Sequence, residues 1–270
     1  MRPFHVWHAR CIAGGGPCDV RTVMDTVLSV GLSHQTSIER RMDVIANNIA
    51  NASTTAFKGE RAVFGEFLFT MEGKTPASLR QVHMVIDRGV VPDFREGSIE
   101  TTNNPLDIAI QGPGFLVVET ETGERLYTRA GVLTRNAAGE LTTPEGARVL
   151  NDADRPITIA GDDLRLEITE DGRIRSDKGE IATLRLVDFA DHQQLERRGQ
   201  RLFATDQPAL PAPAETRIIQ GALEESNVNA IEEVTNMINV LRSYQSMERS
   251  LNSYSDLRDR AVERLSRVQA

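Results

Sequence analysis

The sequence has very little cysteine, and both of its cysteines, Cys11 and Cys18, lie before Met24. A disulfide-stapled fold is therefore excluded for a chain of 270 residues. This length suffices for one large domain or two modest domains with real cores. From Met24 onward the chain is free of cysteine, and the fold there must rest on packing and hydrogen bonds.

Aromatic residues, long apolar runs and an excess of basic charge are also missing. Aromatic side chains make up 5% of the residues and Trp7 is the single tryptophan, which argues against a sugar-stacking cleft or an aromatic cage. No apolar run approaches the ~20 residues that span a bilayer, so membrane insertion is not expected. The 31 basic residues against 39 acidic residues give a net charge of −8, which disfavours nucleic acid as a partner.

The first 23 residues differ from the rest of the chain. They are Gly-rich, without periodicity, and lack the apolar core of a secretory signal. The spacing of His5, His8, Cys11 and Cys18 raises the alternative of a zinc site, but the fourth ligand is badly spaced for one. We expect residues 1–23 to be a non-native or disordered extension, with Met24 as the working start, and we expect no metal site.

Apolar residues recur at heptad spacing near both ends of the chain, which predicts a long helix at each end. The N-terminal helix is expected from Asp25, with Asp25 and Thr26 as caps, to about Asn51, within a segment 24–57. The C-terminal helix is expected after Asn229, within a segment 221–270. We expect the two helices to form a coiled-coil-like pair. The stripes that carry this prediction are Met24, Leu28, Gly31, Gln35, Ile38, Met42, Ile45 and Ile49 on the first helix, and Met237, Val240, Tyr244, Met247, Leu251 and Tyr254 on the second.

The C-terminal helix carries a second apolar stripe beside the first, formed by Ile231, Val234, Ile238 and Leu241. A surface helix of a globular protein normally has one apolar face, so a single stripe would indicate ordinary core packing. One partner helix covers one stripe. The second stripe therefore indicates contact with further neighbours.

Between the helices the pattern changes to short β-rich runs separated by turn residues such as Gly112-Pro113-Gly114 and Asp171-Gly172. Turns every 8 to 12 residues or so predict an all-β body over residues 82–207. Residues 58–81 are expected to be a connector, and residues 208–220 a proline-containing linker and return strand. The predicted fold is α+β: a mainly β body with long terminal helices that form a discontinuous helical domain.

The sequence offers no catalytic motif. Gly112-Pro113-Gly114-Phe115 lacks the Lys-Ser/Thr of a phosphate loop, and no nucleophile elbow accompanies the scattered histidines. Carboxylate pairs such as Glu119 with Glu121, or Asp152 with Asp154, are more typical of solvated faces than of acid/base pairs. We therefore expect a protein that is not an enzyme and that has no cofactor and no small-molecule substrate.

Four blocks of sequence resemble the bacterial flagellar rod and hook proteins, and they occur in the family order between Met24 and the C-terminus. The blocks are residues 43–58 (Asp43 to Lys58), 104–115 (Asn104 to Phe115), 127–131 (Tyr127 to Gly131) and 221–229 (Gly221 to Asn229). The first block has Ala56 where the family usually has glycine, a residue that adopts a positive φ at no steric cost.

Within this family the chain is most similar to the proximal-rod type. Removal of the first 23 of 270 residues leaves 247, which is shorter than the hook type, and the run Arg40-Arg41-Met42-Asp43 resembles the proximal-rod type more than the longer distal-rod type. A distal-rod or hook relative of the same family is the alternative.

The resemblance implies a structural subunit that assembles helically with other rod subunits through its terminal helices. It also implies export by the flagellar type III apparatus without a cleaved signal, and a final place in the periplasmic rod of the basal body. The residues expected to contact other subunits are Ile38, Met42, Ile45, Asn47, Asn48, Ile49, Asn51, Val234, Met237, Ile238, Leu241, Tyr244 and Leu251.

Two hypotheses of other classes stand beside this one. The first is a β-body enzyme that acts on peptidoglycan, which requires two carboxylates converging in a cleft. The second is a soluble binding module whose terminal helices pair only with each other. Gain of helix on assembly distinguishes a rod subunit from both.

Overall fold

The computed structural model describes residues 20–71, 80–160 and 166–268. The chain divides into two compact units. The helical unit comprises Met1–Val44, Ala62–Gly89 and Thr235–Ala270, and the body unit comprises Ile45–Arg61 and Val90–Val234.

The described residues are mainly β, with one long helix near each end of the chain. The helices are α1 (Val20–Ala50) and α2 (Ala230–Val268), and a 3-10 turn covers His192–Gln194. The strands are β1 (Glu60–Met71), β2 (Arg80–Pro92), β3 (Ile99–Thr101), β4 (Ile108–Gln111), β5 (Phe115–Glu119), β6 (Arg125–Thr128), β7 (Thr134–Arg135), β8 (Leu141–Thr142), β9 (Arg148–Val149), β10 (Leu166–Ile168), β11 (Arg173–Ser176), β12 (Gly179–Thr183), β13 (Leu186–Asp188), β14 (Glu196–Arg197), β15 (Leu202–Ala204), β16 (Leu210–Pro211), β17 (Arg217–Gln220) and β18 (Ala222–Glu224).

The boundaries of both helices follow from local chemistry, with one correction to the prediction. The Oδ1 atom of Asn229 accepts from the backbone N–H of Ile231 (3.0 Å), which confirms the predicted N-cap of α2. The predicted end of α1 is confirmed at Ala50. Its predicted start is wrong: α1 already begins at Val20, so Asp25 lies inside the helix. No glycine or proline between Val20 and Met24 interrupts the helix there.

In the helical unit, α1 and α2 contact each other on the predicted faces. The Nε2 atom of Gln35 donates to the hydroxyl of Tyr244 at 3.4 Å. A Cβ atom built on Gly31 would lie 2.7 Å from Cδ2 of Leu251, so the absence of a side chain at Gly31 is what lets α2 approach. Gly31 contacts Leu251, and Gln35, one turn later on α1, contacts Tyr244, which lies earlier on α2. The two helices therefore run in opposite directions at this contact.

The rest of the helical unit comes from a β-ribbon that differs from the sequence prediction. The predicted connector, residues 58–81, holds the 12-residue strand β1, which pairs with β2. The run Val63-Phe64 and the run Phe67-Leu68-Phe69 explain this strand, since β-branched and aromatic residues favour extended backbone. Nε of Arg40 on α1 lies 3.4 Å from Oδ2 of Asp87 on β2.

The body unit is built around β5, which pairs in an antiparallel manner with β6, β9 and β13 within a nine-stranded sheet. The expected all-β character of this part of the chain is confirmed. Val118 faces Leu126 on one side and Val149 on the other, and it is fully buried together with Leu116 and Leu141. The segment predicted as a linker and return strand contains β16 and β17, which pair with β13 and β4.

Candidate functional site

The predicted assembly residues divide into an inner set and an outer set. The inner residues are covered within the chain: Ile38 and Ile45 are buried, and Met42, Ile49, Met237, Tyr244 and Leu251 are half-buried. The outer residues Val234, Ile238 and Leu241 are 46%, 46% and 42% exposed. The structure thus separates the two stripes of α2 that the sequence predicts.

The outer residues, together with Ile231, form a continuous apolar surface that we call the α2 stripe (Ile231, Val234, Ile238 and Leu241). Ile231 is 81% exposed. The spacing of three, four and three residues places all four side chains on one face over roughly 15 Å of helix. Beyond Leu241 the same face continues with exposed Gln245 and Glu248, so the stripe ends there.

Three asparagines, Asn47, Asn48 and Asn51, are among the residues expected to contact other subunits, and the structure gives two of them a local role. The side chain of Asn48 is buried and closes a pair of hydrogen bonds with the backbone of Glu60, donating from Nδ2 to its oxygen and accepting at Oδ1 from its N–H, both at 2.9 Å. Asn51 donates from Nδ2 to the carbonyl oxygen of Asn47 at 2.9 Å, which terminates the helix. Asn47 itself is exposed.

A second candidate site, which sequence reasoning missed, is a buried group of three charges in the body unit, the charge triad of Lys58, Arg129 and Glu224. Lys58, Glu224 and Arg129 are 0%, 1% and 3% exposed. The Nζ atom of Lys58 lies 2.6 Å from Oε1 of Glu224, and Nε of Arg129 lies 2.9 Å from Oε2 of the same carboxylate. One carboxylate therefore binds two cations inside the fold.

The remaining hydrogen-bonding groups of the charge triad are satisfied by backbone. Lys58 also donates to the carbonyl oxygen of Arg95 at 2.7 Å. The guanidinium of Arg129 donates to the carbonyl oxygens of Ile110, Gly112 and Gly114, each at 3.0 Å. The backbone N–H of Gly97 donates to Oε1 of Glu224 at 3.0 Å. These hydrogen bonds and ion pairs offset the cost of keeping the charges in a low-dielectric interior.

The environment shifts the pKa values of both Lys58 and Glu224 downward. Burial lowers the pKa of Lys58, because it penalises the charged amine more than Glu224 favours it. Burial alone would raise the pKa of Glu224, but Arg129, Lys58 and the Gly97 amide together hold it below its usual value. Glu224 is therefore the anion on which the burial of both cations depends.

The charge triad joins three of the sequence blocks that carry the family resemblance. Lys58 ends the first block, Arg129 lies in the block 127–131, and Glu224 lies in the block 221–229. Arg129 is the one charged residue of its block, whereas the first block also holds Asp43 and the last also holds Glu225. The sequence therefore does not indicate which of these charges pair, and it carries no signal that identifies the triad.

Ala56, the residue that replaces the family glycine, adopts the left-handed conformation with φ of +56°. It is buried, and its backbone N–H donates to the carbonyl oxygen of Glu224 at 2.7 Å. The turn after α1 thus keeps the conformation that glycine favours, at a strain cost for alanine of about 1 kcal/mol or more.

Two of the carboxylates considered for acid/base work are held in ion pairs. Glu119 lies 2.7 Å from Arg148, and Asp154 pairs with Arg185. No cluster of three His, Cys, Asp or Glu side chains suited to a metal occurs in the described ranges. The histidines and cysteines of the zinc alternative lie outside these ranges. Among the described helices, none combines the length and apolar character needed to cross a bilayer.

Three family profiles match separate parts of the chain. The profile described as "Flagella basal body rod protein" matches residues 30–58. "Flagellar hook protein FlgE/F/G D1 domain" matches residues 109–176, and "Flagellar basal body rod FlgEFG protein C-terminal" matches residues 219–264.

Curated relatives match over nearly their whole length. The flagellar basal-body rod protein FlgF of Caulobacter vibrioides is 37% identical over 253 residues, which cover 91% of this chain and 100% of the relative. FlgF of Rhizobium meliloti is 32% identical, with 90% of this chain and 98% of the relative covered. FlgG of Caulobacter vibrioides is 31% identical, with 81% of this chain and 91% of the relative covered.

Proposed function

Since the chain belongs to the flagellar basal-body rod proteins and is of the FlgF type, we propose that it assembles into the proximal rod through the exposed face of its C-terminal helix. Family membership gives its role as a structural subunit of the basal body. The proposal concerns how this subunit meets its neighbours.

The observation that carries the proposal is the exposure of the α2 stripe. The inner stripe of α2 meets α1 through Tyr244 and Leu251, while Ile231, Val234, Ile238 and Leu241 contribute an apolar face that remains in water. Covering this face gains up to about 1.5 kcal/mol for each half-exposed side chain. A repeated contact of this kind with a different surface of the next subunit produces an open helical assembly when the rotation between subunits does not close a ring.

The proposal extends to the pairing of α1 with α2 as a coiled-coil-like element. The heptad spacing of Ile38, Met42 and Ile45 and the contacts of Gln35 and Gly31 with α2 support it. The inner residues then set the position of α2 within the subunit. The α2 stripe provides the contact with other axial proteins.

We further propose that the chain starts at Met24, leaves the cytoplasm through the flagellar type III export apparatus without a cleaved signal, and functions in the periplasm. The absence of cysteine from Met24 onward supports this route, because such a chain cannot form disulfides in an oxidising compartment. A peptide spanning Cys11 to Arg21 recovered from purified basal bodies would contradict the proposed start.

The other functional hypotheses have less support. The enzyme alternative needs two free carboxylates in one cleft, and Glu119 and Asp154 are instead held by arginines. The distal-rod alternative is disfavoured because the FlgF relative of Caulobacter vibrioides shares 37% identity with this chain and the FlgG relative of the same organism shares 31%.

Replacement of Leu241 tests the proposed contact. Leu241→Asp places a carboxylate in the α2 stripe, where burial of an unpaired charge costs several kcal/mol. We expect cells with this variant to lose rod assembly and swimming, while the purified protein keeps the β signal of the body unit in circular dichroism. Asn239→Asp is the matched control, because it adds the same charge at an exposed position on another face of α2. Normal swimming of the Leu241→Asp strain would contradict the proposal.

A further inference from the structure

Residues 221–227 form a strap that is hydrogen-bonded along one side to the segment 97–107 of the body unit. Its strand β18 pairs with β3, with Leu223 opposite Glu100. The backbone N–H of Glu225 donates to the carbonyl oxygen of Ser98 at 2.8 Å, and that of Gly221 donates to the carbonyl oxygen of Asp107 at 2.7 Å. The strap thus adds strand β18 to the body unit through its pairing with β3.

The other side of the strap holds the segment 56–59, which follows α1. The carbonyl oxygen of Glu224 accepts from the backbone N–H of Ala56 at 2.7 Å, and Oδ1 of Asn227 accepts from the backbone N–H of Gly59 at 2.8 Å. The Nδ2 atom of Asn227 donates to the carbonyl oxygens of Asp93 and Arg95, at 2.7 and 2.9 Å. The strap, which precedes α2 in the sequence, therefore links residues 56–59, which follow α1, to the rest of the body unit.

The strap also contains Glu224, the anionic residue of the charge triad. Arg129 and Lys58 are contributed by parts of the chain that precede the strap, and both are buried. Besides Glu224, the carboxylate near Arg129 is that of Glu96, at 3.9 Å and about half exposed. Closing the fold around Lys58 and Arg129 before Glu224 arrives would bury two cations without a buried counter-ion, which is strongly unfavourable.

We propose that the strap is a completion switch: the junction between residues 56–59 and the body closes only when residues 221–227 dock and Glu224 pairs with Lys58 and Arg129. A chain that is synthesised or transported from its N-terminus first keeps this junction open until its C-terminal part is available. The inference rests on the geometry of the body unit and is independent of the proposed role of the α2 stripe.

Refolding of the full chain, followed by pulsed hydrogen exchange, tests the proposed order. The amide of Asp93, which donates to Gly59, reports closure of the junction without bonding to the strap. The amide of Glu225, which donates to Ser98, reports docking of the strap. We expect the two amides to gain protection together. Protection of Asp93 while Glu225 still exchanges would overturn the proposal.

Variants separate the charge effect from a general folding defect. In Glu224→Gln we expect protection of the Asp93 amide to slow about tenfold or more, because the missing charge is needed for closure. Glu225→Gln, the neighbouring exposed position, should stay within about twofold of the parent rate. Removal of one cation in the double variant Lys58→Met/Glu224→Gln should recover part of the rate. Parent-like closure in Glu224→Gln, or no recovery in the double variant, would refute the switch.

Discussion

The ammonium of Lys58 lies 2.6 Å from the carboxylate of Glu224, although 166 residues separate them in the sequence. The contact ties the end of the turn that follows α1 to the strand that leads into α2. Arg129 binds the other oxygen of the same carboxylate and anchors both segments to the body. The sequence blocks shared with the family therefore meet at one buried point of the body unit.

Acid should remove the contribution of Glu224 to stability. The pKa of Glu224 is lowered in the folded protein by Arg129 and Lys58, so its contribution is complete at neutral pH and is lost as the pH falls through the folded pKa. At pH 7 we expect Glu224→Gln to lower the free energy of unfolding by about 3–5 kcal/mol, since it leaves two buried cations unpaired.

The measurement is urea unfolding of the parent and of Glu224→Gln between pH 7 and pH 3. The difference between the two proteins should shrink steadily below about pH 4.5. Glu225→Gln serves as the control and should show no such trend. A difference that stays constant over this range would contradict the assignment.

Replacement of Ala56 by glycine should be well tolerated. Ala56 is buried at φ of +56°, where an alanine is strained by about 1–2 kcal/mol. Relief of this strain offsets the loss of a buried methyl group and the greater freedom of glycine in the unfolded chain. We expect Ala56→Gly to change the free energy of unfolding by less than about 0.5 kcal/mol.

Ala222, an equally buried alanine on β18, provides the matched comparison because its φ is not positive. Ala222→Gly relieves no strain and should lose about 1–1.5 kcal/mol in the same denaturation assay. Equal losses at the two positions would show that Ala56 is not strained.

A side chain at Gly131 should disrupt the body unit. A Cβ atom built there would overlap the carbonyl oxygen of Ile108, and Ile108 donates to Gly131 through its own backbone N–H at 3.0 Å. We expect Gly131→Ala to lower the thermal midpoint markedly, with a loss above about 3 kcal/mol.

Gly123 is the control for this substitution. It has φ of +83°, but a Cβ atom built on it would meet no other atom within 4 Å. Gly123→Ala should therefore cost about 1 kcal/mol from backbone strain alone. If Gly131→Ala and Gly123→Ala have the same thermal midpoint, close packing against Ile108 is not what requires glycine at position 131.

Much of the fold could be predicted because its signals are local. The heptad spacing around Ile38 and Tyr244 identifies the covered faces of both helices, and Asn229 identifies the cap of α2. The turn residues mark the strands of the body. The strand Glu60–Met71 escapes prediction, because Gly65-Glu66 divides its apolar residues into two short runs, which resemble a connector.

The charge triad could not be predicted by the same reasoning. Lys58, Arg129 and Glu224 look like ordinary surface charges when each is read with its sequence neighbours. Their burial depends on contacts between residues up to 166 positions apart, which periodicity does not report. The start of α1 is also misplaced by the sequence pattern, since Asp25 is a good capping residue and yet the helix continues through it.

The most direct test of assembly through the α2 stripe is the accessibility of this stripe in the assembled rod. Single cysteines at position 238 (Ile238→Cys) and position 239 (Asn239→Cys) are placed in a chain whose Cys11 and Cys18 are replaced by serine. Both sites should react with a maleimide in the monomer, because Ile238 and Asn239 are exposed. In purified basal bodies we expect Ile238→Cys to react about tenfold or more slowly than in the monomer, since a neighbouring subunit covers the stripe. Equally fast labelling of Ile238→Cys in monomer and basal body would contradict burial of the α2 stripe between subunits.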